Sequence, residues 1–300
     1  MSLLMTFYGD DFTGSTDALE QLTLAGVRTA LFIEPPTPKQ LGRFKNLRAV
    51  GVAGMTRSLA PAAMEGELRP ALKTLKALDA PHVHYKVCST FDSSPKIGSI
   101  GRVIDIAIGI FRSPFVPLLV AAPVLGRYTV FGTHFARFGI GSAGAIHRLD
   151  RHPSISRHPT TPMTEADLRL HLATQTKKRI ELFDILKLGG PGSEAQAEFK
   201  KILNGGAEVV LFDAFYQEQL QRIGELMDGF ASRKQPLFSV GSSGIEMALA
   251  AHWKSQGRVT QSPARIDDGN FAGASGAIRR REQILVGSGS CSPVTSQQIV

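Results

Sequence analysis

The sequence predicts an α/β fold with a mostly parallel sheet flanked by helices, on three observations. Short β-rich apolar runs alternate with longer helix-like segments along most of the 300 residues. Val116-Pro117-Leu118-Leu119-Val120 is apolar throughout, as a strand buried on both faces is, despite its proline. Small, hydroxyl-rich turns lead from strand to helix near both ends of the chain, where open α/β folds bind ligands.

The first strand is Leu3-Leu4-Met5-Thr6-Phe7-Tyr8, followed by Gly9-Asp10-Asp11-Phe12-Thr13-Gly14-Ser15-Thr16-Asp17 and the helical Ala18-Leu19-Glu20-Gln21-Leu22. Each of the two adjacent carboxylates needs water or a partner. Helix capping by Asp11 or Thr13 accounts for one residue and leaves the second aspartate unexplained. Residues 28–33 and 48–53 read as the second and third strands, and 61–78 as a helix with Pro61 in its first turn. Residues 83–87 form the fourth strand, 100–111 a helix and 116–120 another strand.

The rhythm then changes. Tyr128-Thr129-Val130-Phe131 and His134-Phe135-Ala136 flank Gly132-Thr133, which predicts a hairpin. Residues 138–163 are rich in Gly, His, Arg, Pro and Ser with little periodicity, and so long a loop is usually functional or mobile. Thr164 is the expected cap of a helix over 165–174. Alternation resumes with a strand at 180–186, a helix at 193–203, a strand at 208–212 and a helix at 217–230. A strand at 236–240 leads through Gly241-Ser242-Ser243-Gly244 into a helix at 245–253. Residues 254–281 are polar and Gly-rich, the composition of a linker, and 283–286 begin a new strand.

The last residues, Gly287-Ser288-Gly289-Ser290-Cys291-Ser292-Pro293-Val294-Thr295, form a turn that opens a helix. Backbone N–H groups and hydroxyls there offer an anion site, without the Gly-Lys-Ser/Thr of a Walker loop. One strand and half a helix cannot bury their apolar faces alone. The expectation is a piece of a longer polypeptide, or packing of these residues on something else.

Hydrophobic content of 43% and charged content of 20% match ordinary globular proteins. No apolar run is long enough to cross a bilayer, and the start lacks a signal-peptide layout, so a cytoplasmic location and no membrane partner are expected. Cys88 and Cys291 are too few for a disulfide framework and read as small packing residues. His152, His171 and His252 are too scattered for a metal site. A net charge of +8 invites a nucleic-acid reading, but the basic residues are dispersed, Arg279-Arg280-Arg281 is the one dense run, and there is one Trp. Attraction of small anions, a sugar acid or a nucleotide phosphate, fits better.

Five motifs occur in a telling order: Asp10-Asp11-Phe12-Thr13-Gly14, Tyr85-Lys86-Val87-Cys88-Ser89-Thr90-Phe91-Asp92, Arg157-His158-Pro159-Thr160-Thr161-Pro162-Met163, Val240-Gly241-Ser242-Ser243-Gly244 and Gly289-Ser290-Cys291-Ser292-Pro293-Val294-Thr295. In these the chain resembles the four-carbon acid sugar kinases, which include 3-oxo-tetronate and threonate/erythronate kinases. The resemblance runs from residue 3 to the end. It implies an acid-sugar-binding domain over 1–253, a linker over 254–281 and the beginning of an incomplete α/β ATP-binding domain over 282–300. Asp92-Ser93-Ser94 departs from the Arg-Gly that many members carry after Ser-Thr, which leaves the substrate open.

The implied activity is ATP-dependent phosphorylation of a four-carbon sugar acid, with ATP and Mg²⁺ as cofactors. A chain ending at Val300 is expected to be inactive alone, and a homodimer is a candidate assembly. Substrate-binding residues implied are Asp10, Asp11, Thr13, Lys86, Ser89, Thr90, Arg157, His158, Gly241 and Ser242; Gly289, Ser290, Cys291, Ser292 and Thr295 would meet the nucleotide. The aspartates can accept from sugar hydroxyls, Lys86, Arg157 and backbone amides can bind a carboxylate, and Asp11 would act as base or hydroxyl-orienting group. Plainer roles stand beside these: Lys86 snorkelling at a strand end, His158 as a loop residue, Ser242 and Ser243 as helix caps. Two rival functions are a non-catalytic acid-sugar-binding protein and a nucleic-acid-binding protein.

Overall fold

The computed structural model describes residues 2–139 and 144–259. The chain runs β1 (Met5–Gly9), α1 (Phe12–Leu24), β2 (Thr29–Phe32), α2 (Pro38–Leu41), β3 (Ala49–Ala53), α3 (Pro61–Ala77), β4 (His82–Lys86), α4 (Ile100–Phe111) and β5 (Val116–Leu119). There follow β6 (Arg127–Val130), β7 (Thr133–Arg137), β8 (Ile146–Arg148), α5 (Leu168–Ala173), β9 (Ile180–Phe183), α6 (Ile185–Gly189), α7 (Gly192–Asn204), β10 (Val209–Phe212), α8 (Gln219–Asp228), β11 (Leu237–Gly241) and α9 (Gly244–Ser255). Eight strands form one sheet in the order β2-β3-β1-β4-β11-β5-β10-β9, every pairing parallel. The fold is α/β.

Alternation along the strands builds two cores. Met5 and Phe7 of β1 pack with Leu22 of α1 and Ile245 and Trp253 of α9 on one face. Tyr8 of β1 and Val83 and Tyr85 of β4 pack with Leu68 of α3 and Ile104 of α4 on the other. Each large apolar side chain buried in this way contributes about 1.5–3 kcal/mol. The connection from β1 goes to one side of the sheet and that from β4 to the other. Their carboxyl ends therefore flank a topological switch point, where such sheets bind ligands.

The insertion after β5 is an antiparallel sheet, β6-β7-β8. Its hairpin turns at Phe131 and Gly132, both at positive φ (51° and 81°), the mirror-image turn that suits a two-residue hairpin. Asp213, after β10, clamps this turn by accepting from the amides of Phe131 (2.6 Å) and Gly132 (3.0 Å).

Several boundaries differ from expectation. The helix assigned to 165–174 begins at Leu168, and its cap is Asp167, which accepts from the Arg169 amide. Residues before it are drawn out along β7, where Ala166 O takes the His134 amide and Thr133 bridges Asp167. β9 stops at Phe183 because Asp184 caps α6. The aperiodic stretch 138–163 contains β8 and two short 3-10 turns. α9 continues through Ser255 into what reads as linker, and α1 starts at Phe12, earlier than its apolar periodicity indicates. The strand at 283–286, Arg279 to Arg281 and the turn at 287–295 lie outside the described residues. No described helix is long and apolar enough to cross a membrane.

Candidate functional site

At the switch point a cleft of about 390 Å³ opens between the β1–α1 turn, the segment after β3 and the segment after β8. It is lined by Asp10, Asp11, Phe12, Thr13, Met55, Arg57, Ser58, His158, Thr160 and Thr161. Its first wall follows from local sequence. Asp11 is extended (φ −147°) and caps α1, its Oδ1 accepting from the Gly14 amide at 2.6 Å. A side chain at Gly14 would put Cβ 2.7 Å from that oxygen and 3.3 Å from Lys86 Nζ, so the close approach requires glycine.

Arg57 joins the two aspartates. It sits in a 3-10 turn (Thr56–Ser58) tied to the first wall by its own amide, which donates to Asp10 O at 3.1 Å. Nε and Nη2 donate to the two Asp10 oxygens at 3.0 and 2.7 Å, and Nη1 lies 2.6 Å from Asp11 Oδ2. Asp10 is 2% exposed, and burial pushes its carboxyl up to about 6 against the pull of Arg57. The aspartates in turn hold the Arg57 guanidinium above its ordinary range, outweighing its own desolvation. These two hydrogen bonds and the ion pair account for three of its five N–H groups.

The opposite wall brings His158, which follows the 3-10 turn Ile155–Arg157. Its Nδ1 accepts from the Thr161 amide at 3.1 Å, so the neutral ring carries its proton on Nε2. Lys86, at the end of β4, is buried beneath the first turns of α1, where Nζ meets Asp17 Oδ2 at 3.1 Å and Val87 O at 3.0 Å. The cleft thus joins carboxylate acceptors to guanidinium, imidazole and helix-N-terminal donors, the two sets a polyhydroxy acid needs.

The comparisons with known proteins bear on what such a site is for. The family model described as a sugar-binding N-terminal domain matches residues 5–249. The chain belongs to the four-carbon acid sugar kinase family. A 3-oxo-isoapionate kinase of Paraburkholderia graminis is 46% identical to it, across 99% of this chain and 59% of that one. A 3-oxo-tetronate kinase of Methylobacterium radiotolerans is 32% identical, across 100% and 64%. A crystal structure from Salmonella typhimurium LT2 with a provisional tRNA synthase description superposes with a TM-score of 0.75 at 27% identity, covering 85% of this chain and 57% of that one. The chain thus spans about three-fifths of the length of these acid sugar kinases and of that structure.

Of the residues the family resemblance implies, Asp10, Asp11, Thr13 and His158 line one cleft. Lys86 lies behind it. Ser89 and Thr90 leave β4 at the same sheet edge, but Thr90 Oγ1 donates to Asp92 (2.9 Å) and Ser89 O takes the His134 Nε2 proton (2.9 Å). Gly241 and Ser242 are buried at the end of β11, where Ser242 Oγ accepts from the Gly244 amide at 3.0 Å, a capping contact. Arg157 is exposed and not among the lining residues. Gly289, Ser290, Cys291, Ser292 and Thr295 lie outside the described residues. Arg57 is the residue that sequence reasoning missed. Its signal was its place just beyond the carboxyl end of β3, beside β1 in the sheet.

Proposed function

We propose that the cleft binds a sugar acid and that the chain is the substrate-binding part of an ATP-dependent sugar-acid kinase. The observation that carries this is the Asp10–Arg57–Asp11 arrangement at the N-terminus of α1. In this reading the two remaining Arg57 N–H groups and His158 Nε2 hold the ligand carboxylate. Asp11, whose side chain is 29% exposed, keeps lone pairs free after its two contacts and orients the acceptor hydroxyl. Asp10 positions Arg57. Lys86 supplies positive potential from behind.

The relatives' names favour a 3-oxo sugar acid as substrate, and 3-oxo-isoapionate is the first to test because that relative is 46% identical, against 32% for the 3-oxo-tetronate kinase. Those names also imply ATP with Mg²⁺, which together supply the phosphoryl group and neutralise its charge when bound. The described residues do not fit an Mg²⁺ site. Among them no group of three or more His, Cys, Asp or Glu side chains converges, and Asp10 gives both its carboxyl oxygens to Arg57. By the family resemblance, the nucleotide would meet residues 289–295, which lie outside the described residues.

Titration calorimetry of the 300-residue chain tests the reading. Saturable binding of 3-oxo-isoapionate, 3-oxo-tetronate or threonate with Kd below about 1 mM is expected, without phosphate transfer from ATP. No heat with any of the three overturns the binding site. Turnover of ATP with one of them overturns the reading of this chain as the substrate-binding part alone. Binding here, with no kinase activity when the chain is joined to the remaining part of the 46%-identical kinase, would favour the non-catalytic rival.

A further inference from the structure

Behind the cleft, β4 turns three titratable side chains, His82, His84 and Lys86, onto the face covered by α1 and α9, and all three are buried. His82 has Asp228 2.8 Å from its Nε2, while its Nδ1 has no partner. His84 differs in what faces it. It meets Glu246 of α9, which is wholly buried with neither carboxyl oxygen in a hydrogen bond. Ser243 and Glu246 have the spacing of a capping box. They do not form one: Ser243 makes no capping contact, and Ser242 takes the Gly244 amide instead. Glu246 is turned inward, its Oε1 3.5 Å from His84 Nε2, an atom that also has no partner.

The tautomer of His84 decides what can bridge that gap. Its Nδ1 lies 3.3 Å from the Ser239 carbonyl oxygen and 3.2 Å from Ser239 Oγ. The Ser239 carbonyl oxygen only accepts and is satisfied by a proton on Nδ1, the tautomer in which Nε2 presents a lone pair. A carboxylate facing that lone pair would be repelled, whereas a carboxylic acid donates to it. Lys86 already has Asp17 and the Val87 carbonyl. An ionised Glu246 would leave two negative charges, its own and that of the partly exposed Asp17, to one ammonium.

We propose that Glu246 is a positioning residue of the cleft: it is held as the neutral acid, donating to His84 Nε2, and so leaves Lys86 paired with Asp17 beneath the start of α1. The role in ligand binding rests on the sugar-acid reading of the cleft; the protonation state does not. Burial supports it, pushing the Glu246 carboxyl up to about 8 against the pull of Lys86. The charged and titratable groups facing it are Lys86 and His84 from β4 and Asp17 from α1; β11 contributes the neutral Ser239. From α8, Asp228 is engaged by His82, Trp253 and Arg258. Ionisation of Glu246 would draw the Lys86 ammonium from Asp17 towards α9, and α1 carries both Asp17 and the Thr13 wall of the cleft.

The test is carbon-13 NMR of the glutamate carboxyls and of the lysine side chains, with Glu246→Gln as the assigning variant. Glutamine keeps a donor to His84 but cannot ionise. The Glu246 carboxyl is expected to be protonated at about pH 7. The Lys86 signal should shift with its midpoint in the parent and stay flat over that range in Glu246→Gln. Threonate affinity should fall severalfold between about pH 7 and about pH 9 in the parent, and not in the variant. A Glu246 midpoint near that of a free carboxyl overturns the proposal. A Lys86 titration that survives in Glu246→Gln, or threonate pH profiles identical in parent and variant, overturns it too. If the parent binds none of 3-oxo-isoapionate, 3-oxo-tetronate and threonate at any pH, the sugar-acid reading fails, and the two NMR signals still decide the Glu246–His84–Lys86 arrangement.

Discussion

Replacing Arg57 with methionine isolates the contact on which the cleft is built. Asp10 is 2% exposed and receives two Arg57 hydrogen bonds, at 3.0 and 2.7 Å. Removing one partner of a buried pair costs about 3–5 kcal/mol, because the other charge is left unpaired. Asp11 adds less, since its side chain is 29% exposed and keeps the Gly14 amide. Asp10 can escape the full loss by taking up a proton, and its carboxyl already stands at about 6. Without Arg57 it rises further. A carboxyl raised in the folded state contributes stability that is complete below its unfolded value and lost as pH climbs through its folded one. The deficit of Arg57→Met should therefore be about 1–2 kcal/mol at about pH 5 and about 3–4 kcal/mol at about pH 8. Urea denaturation followed by the fluorescence of the single tryptophan, the buried Trp253, measures both. In the double variant Asp10→Asn, Arg57→Met the added pH dependence should vanish. A deficit that is equal at the two pH values, or below about 1 kcal/mol at about pH 8, would refute the reasoning.

Two further outcomes are expected. Asp213→Ala removes acceptors from the amides of Phe131, Gly132 and Ile185, at 2.6, 3.0 and 3.1 Å, and should cost about 2–3 kcal/mol; hydrogen exchange should accelerate at Phe131 and Gly132, and unchanged protection there would show the clamp to be idle. Cys88 should resist alkylation: burial pushes its thiol up to about 11, and its Sγ lies 2.9 Å from Thr90 Oγ1. Peptide mapping after iodoacetamide at about pH 8 should show it reacting about a hundredfold more slowly than a free thiol, and reaction at the free rate contradicts this.

Much of the fold is legible because its signals are local. The apolar run ending at Tyr8, the Asp-Asp turn after it and the hairpin around Gly132 each declare themselves within a few residues, and each is present in the structure. Caps compete locally too, but the winner depends on what lies alongside. Thr164 loses to Asp167 because residues just before α5 are held extended against β7. The site was half visible. Asp10, Asp11, Thr13 and His158 share one cleft. Arg57 had no motif to mark it, and Gly241 and Ser242 have a motif whose contacts are packing and capping.

The sequence by itself determined the alternating α/β architecture, the acidic strand-to-helix turn and membership of the acid sugar kinase family, since periodicity and motif order are properties of neighbouring residues. The tertiary structure alone decided which charges meet. Asp10 and Asp11 are adjacent in the chain, yet their common partner arrives from the end of β3, and Lys86 and His84 face carboxyl groups supplied by α1 and α9. Coulomb and hydrogen-bond energies depend on separation in space and on burial. Both are set only when the parallel sheet brings distant strand ends to one edge.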